Sequence, residues 1–172
     1  MAIQIARLLG AGLIIATAST EEKRAFARGI GADIAIAYDS PDWPKTVLER
    51  TNGRGVDIIL ESIGGDVFEQ NFECLASFGR HIIYGSTRGP GKPFEPRRLM
   101  QKSQSLTGIY LPVLFSNPDR VHDAMKFLAE HAASGNMRMQ AAAVLPLSQT
   151  AEAHRQLEER RVVGALVLDP RR

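Results

Sequence analysis

The stretch LIIATASTEEKRAFARGIGADIAIAY, residues 13–38, decides the fold class. Leu13 to Ala18 reads as a continuous apolar run, which suits a strand covered on both faces. Ser19 followed by Glu22 reads as a capping box that opens a helix through about Gly29. Gly31 stops that helix, and Ile34 to Tyr38 is a second buried strand. A strand, a helix of about ten residues and another strand imply a right-handed crossover between parallel neighbours.

The pattern continues on both sides. Ile3, Ala6, Arg7 and Gly10 carry the period of a short helix ending at Gly10-Ala11-Gly12. Downstream, helices are expected at Pro41 to Arg50, Asp66 to Ser77, Asn117 to Ala133 and Ser148 to Arg160. Strands are expected at Val56 to Leu60, His81 to Tyr84, Leu106 to Leu111, Ala141 to Leu145 and Ala165 to Leu168. The run GSTRGPGKPFEPRR, residues 85–98, reads as a loop. The class is α/β, a doubly wound, Rossmann-like parallel sheet. Such sheets bind ligands beyond the carboxyl ends of their strands. Ser19, Tyr38, Glu61-Ser62 and Gly85-Ser86 each follow an apolar run and are the candidates. Any one of them is also an ordinary turn or cap residue; their coincidence at one sheet edge singles them out.

Composition narrows the function. The 172 residues are 44% hydrophobic and 23% charged, which excludes disordered and collagen-like classes. Lys plus Arg is 21 against 19 for Asp plus Glu, a net charge of only +2, so no strong pull toward nucleic acid follows. No apolar run reaches membrane-spanning length. The N-terminal apolar stretch is interrupted by Arg7 and runs straight into a capped helix, which argues against a signal peptide. Cys74, the single cysteine, excludes an internal disulfide and reads as a buried structural thiol. A cytoplasmic location is expected.

The chemical inventory is mostly negative. There is no G-x-G-x-x-G: after Gly29 and Gly31, Ile34 stands where the third glycine belongs, and a helix precedes them where the motif needs a strand. There is no P-loop and no G-x-S-x-G elbow. His81, His122, His131 and His154 are scattered, so no metal site is expected. One cationic feature stands out. Lys23 lies in the first turn of the helix after Ser19-Thr20, where free N–H groups favour anions. The preceding strand end, Ala16 to Thr20, carries no carboxylate, so a 2′-phosphate meets no repulsion there and NADPH is preferred over NADH. A lysine pairing with a neighbouring glutamate on a solvated helix is the plain alternative.

Several segments together carry a family likeness. AIQIARLLGA (2–11), IIATASTEEKRAFARGIGAD (14–33), GVDIILESIGG (55–65), FGRHIIYGS (78–86), SLTGIYLPVLF (105–115) and AEAHRQLEERRVVGALVLDP (151–170) resemble the medium-chain dehydrogenase/reductase superfamily. The likeness is to its zinc-free quinone oxidoreductase branch, in order and spacing over essentially the whole chain. It implies NADPH as cofactor and hydride transfer to a quinone or activated enone. It implies that Lys23 and Tyr38 contact the 2′-phosphate, with Ser19 beside them and Arg160 near the same group. Ser62 lies after the fourth strand of the family sheet, and Gly85-Ser86 sit where the backbone passes the nicotinamide end. Glu61 departs from the family, where aspartate is usual, and no catalytic residue carries over.

The same likeness implies that residues 1–134 are a partial dinucleotide-binding domain. Residues 135–172 are then a returning segment that packs on a catalytic domain. The family's first strand and glycine-rich turn have no counterpart, so a fragment inactive alone, with weakened or lost cofactor binding, is expected. Without that central strand, the second and fourth strands of the family order 3-2-1-4-5-6 are expected to pair, or a partner chain to fill the slot. Apolar exposure is expected near Val144, Leu145 and Leu166. The strand near Leu106 to Tyr110 is expected to form a homodimer. A non-enzymatic nucleotide-binding or dimerisation module, or a methyltransferase-like domain using Glu61, are the rival readings.

Overall fold

The computed structural model describes residues 1–159 and 161–172. The elements run α1 (Ala2–Leu8), β1 (Ile15–Thr17), α2 (Glu21–Gly29), β2 (Ile34–Ile36), α3 (Trp43–Arg50), β3 (Val56–Glu61), α4 (Gly65–Cys74) and β4 (Leu75–Ile83). They continue through α5 (Arg97–Met100), β5 (Ser105–Gly108), α6 (Leu111–Phe115), α7 (Pro118–Ala133), β6 (Ala141–Pro146), a 3-10 turn, α8 (Thr150–Glu158) and β7 (Ala165–Asp169). Every strand pairing is parallel, as the alternation predicts. The class is mixed α/β. Among the described residues the pairings form three sheets, β1-β2, β3-β4-β5 and β6-β7.

The chain divides into two compact units. One comprises Met1–Ala37 and Phe127–Arg172. Its core is Ile14, Ala27 and Ala32, with Ile3, Ala6, Ala11, Ala16 and Ala35 packed on it. These small residues let α1 and α2 lie close to β1 and β2. Polar bonds fix the arrangement. Arg7 donates to the Asp33 carboxylate at 2.7 Å and to the Ala11 and Gly31 carbonyls at 3.1 Å. Asp33 also accepts the Ile14 N–H at 2.7 Å. That N–H, and then the Arg7 guanidinium, hold the Asp33 carboxyl below its ordinary range. Gln4 and the Arg138 backbone exchange two bonds, at 3.0 and 2.8 Å, tying α1 to the chain before β6.

The other unit is Tyr38–Lys126, built on β3-β4-β5. Its core is Phe68, Phe72 and Leu75, joined by Ile59, Ile83, Phe94, Leu99 and Leu106. Fully buried His81 sits among these rings, stacked on Phe68 at 5.3 Å and edge-on to Phe72 at 4.9 Å. Its Nε2 lies 3.2 Å from the Asn71 amide nitrogen. Burial depresses the His81 pKa to about 4, so the ring is neutral at ordinary pH. Cys74 is buried too, and burial raises its thiol to about 12. It is a packing residue without nucleophilic character.

Several expectations need correction. The expected helix over Asp66 to Ser77 ends at Cys74, and β4 starts at Leu75, earlier than His81. The cause is a wide bulge: Val56 pairs with Leu75 but Ile58 with Arg80, so Asp57 alone faces Ala76 to Gly79. Phe78 takes φ 60° there and its side chain is 80% exposed. Buried Gln104 braces the bulge, donating to the Leu75 and Ala76 carbonyls at 2.9 and 3.2 Å. Residues 97–100, expected as loop, form α5, and Leu111 belongs to α6, where Pro112 occupies the helical first turn. The helix expected from Ser148 begins as a 3-10 turn, Leu147–Gln149, and α8 follows from Thr150.

The two first strands are less covered than expected, with Leu13 45% exposed and Thr17 exposed. The expected pairing of the strands now seen as β1 and β3 is not made among the described residues: β1 pairs with β2 and β3 with β4 only. β1 is three residues long, and a strand that short offers little ladder to a second neighbour. Ile58 and Leu60 on β3 are 47% and 51% exposed. Of the three apolar residues expected to be exposed near the end, Val144 is, at 46%, while Leu145 and Leu166 are half-buried.

Neutral His81 makes stability pH-dependent with a defined sign. The unfolded imidazole takes a proton near 6.5 and the folded one only near 4. Acidification through that window therefore favours unfolding, by up to about 3 kcal/mol. Urea unfolding followed from pH 7 to pH 4 is expected to show this loss, and His81→Phe to flatten it.

Candidate functional site

Glu61 ends β3 with a carboxylate that is 96% buried, being only 4% exposed. Its Oε1 accepts the Ile63 and Gly64 N–H groups, both at 2.6 Å. Its Oε2 is buried with no hydrogen-bond partner among the described residues. The side chain thus folds back on its own chain and shapes the turn from Ser62 into α4. Gly64 caps α4 with φ 76°, and a Cβ there would collide with the Gly89 carbonyl and the Ser86 hydroxyl. Only glycine fits that position.

This turn is laced to the loop that follows β4. Tyr84 N–H donates to the Glu61 carbonyl at 2.9 Å, Thr87 N–H to Ser62 at 3.0 Å and Arg88 N–H to Ile63 at 2.6 Å. Gly65 N–H donates to the Gly89 carbonyl at 3.2 Å, and the Ser86 hydroxyl bonds to the same oxygen. A Cβ at Gly85 would lie 3.2 Å from the Cβ of Ser62. Three of the predicted site residues, Ser62, Gly85 and Ser86, therefore meet where the β3 and β4 carboxyl ends adjoin. Tyr38, half-buried, joins them through a residue that the sequence reading missed. The Arg88 guanidinium lies 5.1 Å from the Tyr38 ring centroid. An arginine inside a glycine- and proline-rich loop was the available signal for it.

Ser19 and Lys23 lie together at the other unit's β1 carboxyl end. The helix cap needs one correction: α2 is capped by Thr20, whose Oγ1 accepts the Lys23 N–H at 3.3 Å. Ser19 stands one position earlier, half-buried, and does not form the expected box with Glu22. Glu21 takes the first-turn role and pairs with Arg28 and with Arg24, the latter at 3.0 Å. Those two arginines, Arg28 first, lower its carboxyl pKa. Arg24 also donates to the Ala18 carbonyl at 3.1 Å, placing a second cation beside half-buried Lys23. Its position in the first turns of a helix, one residue after Lys23, was legible but not weighed. Arg160 lies outside the described residues.

The described residues bring no three His, Cys, Asp or Glu side chains together in a way that holds a metal ion. No described helix is long and apolar enough to cross a membrane.

Replacing Glu61 tests the turn. Glu61→Ala leaves two backbone N–H groups without an acceptor and is expected to lower stability by about 2–3 kcal/mol in urea unfolding. Glu61→Gln, whose amide oxygen still accepts, is expected to recover more than half of that loss.

Against known proteins, residues 1–130 match the family model described as zinc-binding dehydrogenase. A 2-haloacrylate reductase of a Burkholderia species is 34% identical over 168 residues, covering 96% of this chain and 50% of the reductase. A quinone oxidoreductase of Pseudomonas aeruginosa is 31% identical over 170 residues, 98% of this chain and 52% of the relative. Among solved structures, Escherichia coli quinone oxidoreductase complexed with NADPH superposes with a TM-score of 0.87 at 30% identity, over 98% of this chain and 52% of that one. The chain spans about half the length of the curated relatives it matches. The family model's description names zinc, but the described residues build no zinc ligand set. With the parallel α/β fold, the matched segments and this likeness to quinone and acrylate reductases together, the chain belongs to the zinc-binding dehydrogenase family of the medium-chain dehydrogenase/reductase superfamily.

Proposed function

We propose that this chain supplies the cofactor-binding part of an NADPH-dependent oxidoreductase that reduces a quinone or an activated enone. The observation that carries the reading is the strand end of β1. Lys23 and Arg24 stand there at a capped helix N-terminus, and the strand end itself, Ala18-Ser19-Thr20, carries no carboxylate. A 2′-phosphate finds Lys23 and the helix N–H dipoles there, and the strand end itself offers a ribose diol no acidic partner. NADPH, when bound, supplies the hydride.

The chain's own residues bind and orient. In the first unit, Ser19 and Lys23 would hold a phosphate. In the Tyr38–Lys126 unit, Tyr38 would offer a ring face, and Ser62, Gly85 and Ser86 would line strand ends that suit a nucleotide. The glycine at 85 admits the close backbone approach that a side chain would block. The division into residues 1–134 and a returning segment 135–172 belongs to this reading.

Homodimerisation is part of the proposal. β5 pairs with β4 on one side only among the described residues. Ile109, Tyr110, Leu111, Val113 and Phe115 beyond it are 44–70% exposed. An apolar patch beside an open strand edge suits an isologous contact with a second copy.

Two measurements test these readings. In a thermal-shift titration, NADPH at about 100 times its dissociation constant is expected to stabilise the chain by about 2.7 kcal/mol, with a much smaller effect of NADH. Lys23→Ala is expected to weaken NADPH about tenfold and leave NADH unchanged. Equal response to both nucleotides would overturn the preference, and response to neither would overturn the cofactor role. In sedimentation equilibrium the chain is expected to be a dimer. The pair Tyr110→Glu and Val113→Glu places like charges across the axis and is expected to yield monomers.

A further inference from the structure

We propose that Arg88 is a phosphate-binding residue of the dinucleotide site, held ready by Tyr38. The inference deepens the NADPH reading above and rests on it. It stands on three features of the Tyr38–Lys126 unit.

The first is the pairing itself. The guanidinium carbon lies 5.1 Å from the Tyr38 ring centroid, within cation–π range. Stacking against a ring face constrains the guanidinium plane and leaves its N–H fork pointing outward in the plane.

The second is the absence of a carboxylate. Arg24, Arg54 and Arg98 all pair with acidic side chains. Arg88 is exposed and makes no ion pair among the described residues. Its donors are available for two oxygens of a phosphate group.

The third is rigidity of the support. The Arg88 N–H donates to the Ile63 carbonyl, Thr87 is bonded to Ser62, and Gly89 is bonded to Ser86 and Gly65. A Cβ on Gly65 would lie 3.6 Å from the Arg88 Cβ. The arginine therefore rises from a loop fixed at both flanks, at the carboxyl ends of β3 and β4, where parallel sheets take their ligands. A surface arginine that served only solubility would need none of this bracing.

The dinucleotide offers two phosphate sources, the 2′-phosphate and the pyrophosphate. The experiment separates them. NADPH and NADH are titrated calorimetrically into the intact chain, the Arg88→Ala variant and the Arg88→Lys variant, each at low and at high salt. Circular dichroism and melting temperature confirm folding, which an exposed side chain is not expected to alter. Arg88→Ala is expected to weaken NADPH about tenfold and to reduce the salt dependence of binding. Arg88→Lys is expected to restore part of the affinity and most of the salt dependence, because it keeps the charge and loses the fork. Loss confined to NADPH assigns the 2′-phosphate; equal loss for NADPH and NADH assigns the pyrophosphate. Unchanged affinity in Arg88→Ala, with the parent chain binding normally, overturns the role of Arg88 and leaves the cofactor reading standing. Weakened binding with unchanged salt dependence also overturns it, since the contact would then be stacking alone. A parent chain that binds neither nucleotide removes the cofactor reading and this proposal with it.

Discussion

A buried carboxylate at the end of a strand must find donors or leave the interior. Glu61 finds them in the two peptide groups that follow it, Ile63 and Gly64. That choice curls the chain tightly after β3 and sets where α4 begins. It also presents the Ser62, Ile63 and Gly65 backbone groups to the loop after β4, which bonds to all three. Gly64 is required because the two loops touch there, whereas Gly89 takes φ 82° in open space. Everything placed at this strand edge, Ser62, Gly85, Ser86 and Arg88, inherits its position from that one turn.

Beneath the turn lies an aromatic core that tolerates a histidine only in its neutral form. Phe68 and Phe72 enclose His81, and Asn71 meets one ring nitrogen, while Nδ1 stays without a partner among the described residues. The other unit uses a different solution. Its core is mostly alanine and isoleucine, and an exposed Arg7–Asp33 pair ties helix, strand and turn together by several hydrogen bonds. Bulky rings make one unit; close backbone approach makes the other.

Function follows from where the strands end. Cations stand at the β1 end, and a rigid glycine-bearing double loop stands at the β3 and β4 ends. Each strand end, taken by itself, offers groups that suit a phosphorylated ligand. The described residues bring no metal ligand set together.

The sequence by itself determined the class, the parallel pairings and most elements, because apolar runs and caps are local signals. It also carried the family likeness and the clustering of Ser62, Gly85 and Ser86 at strand ends, since both runs end visibly. It misplaced the helix end at Cys74 because the bulge at Ala76 to Gly79 depends on Gln104, 25 or more residues away in sequence. It moved the α2 cap by one residue because Ser19 and Thr20 are chemically equivalent caps, and only the backbone angles choose between them. Glu61 read as a strand-end candidate or an ordinary turn residue; its burial was not legible, because the donors that satisfy it appear only when the turn closes. Arg88 was invisible for the same kind of reason: its partner Tyr38 is fifty residues earlier, and only tertiary folding lays one over the other.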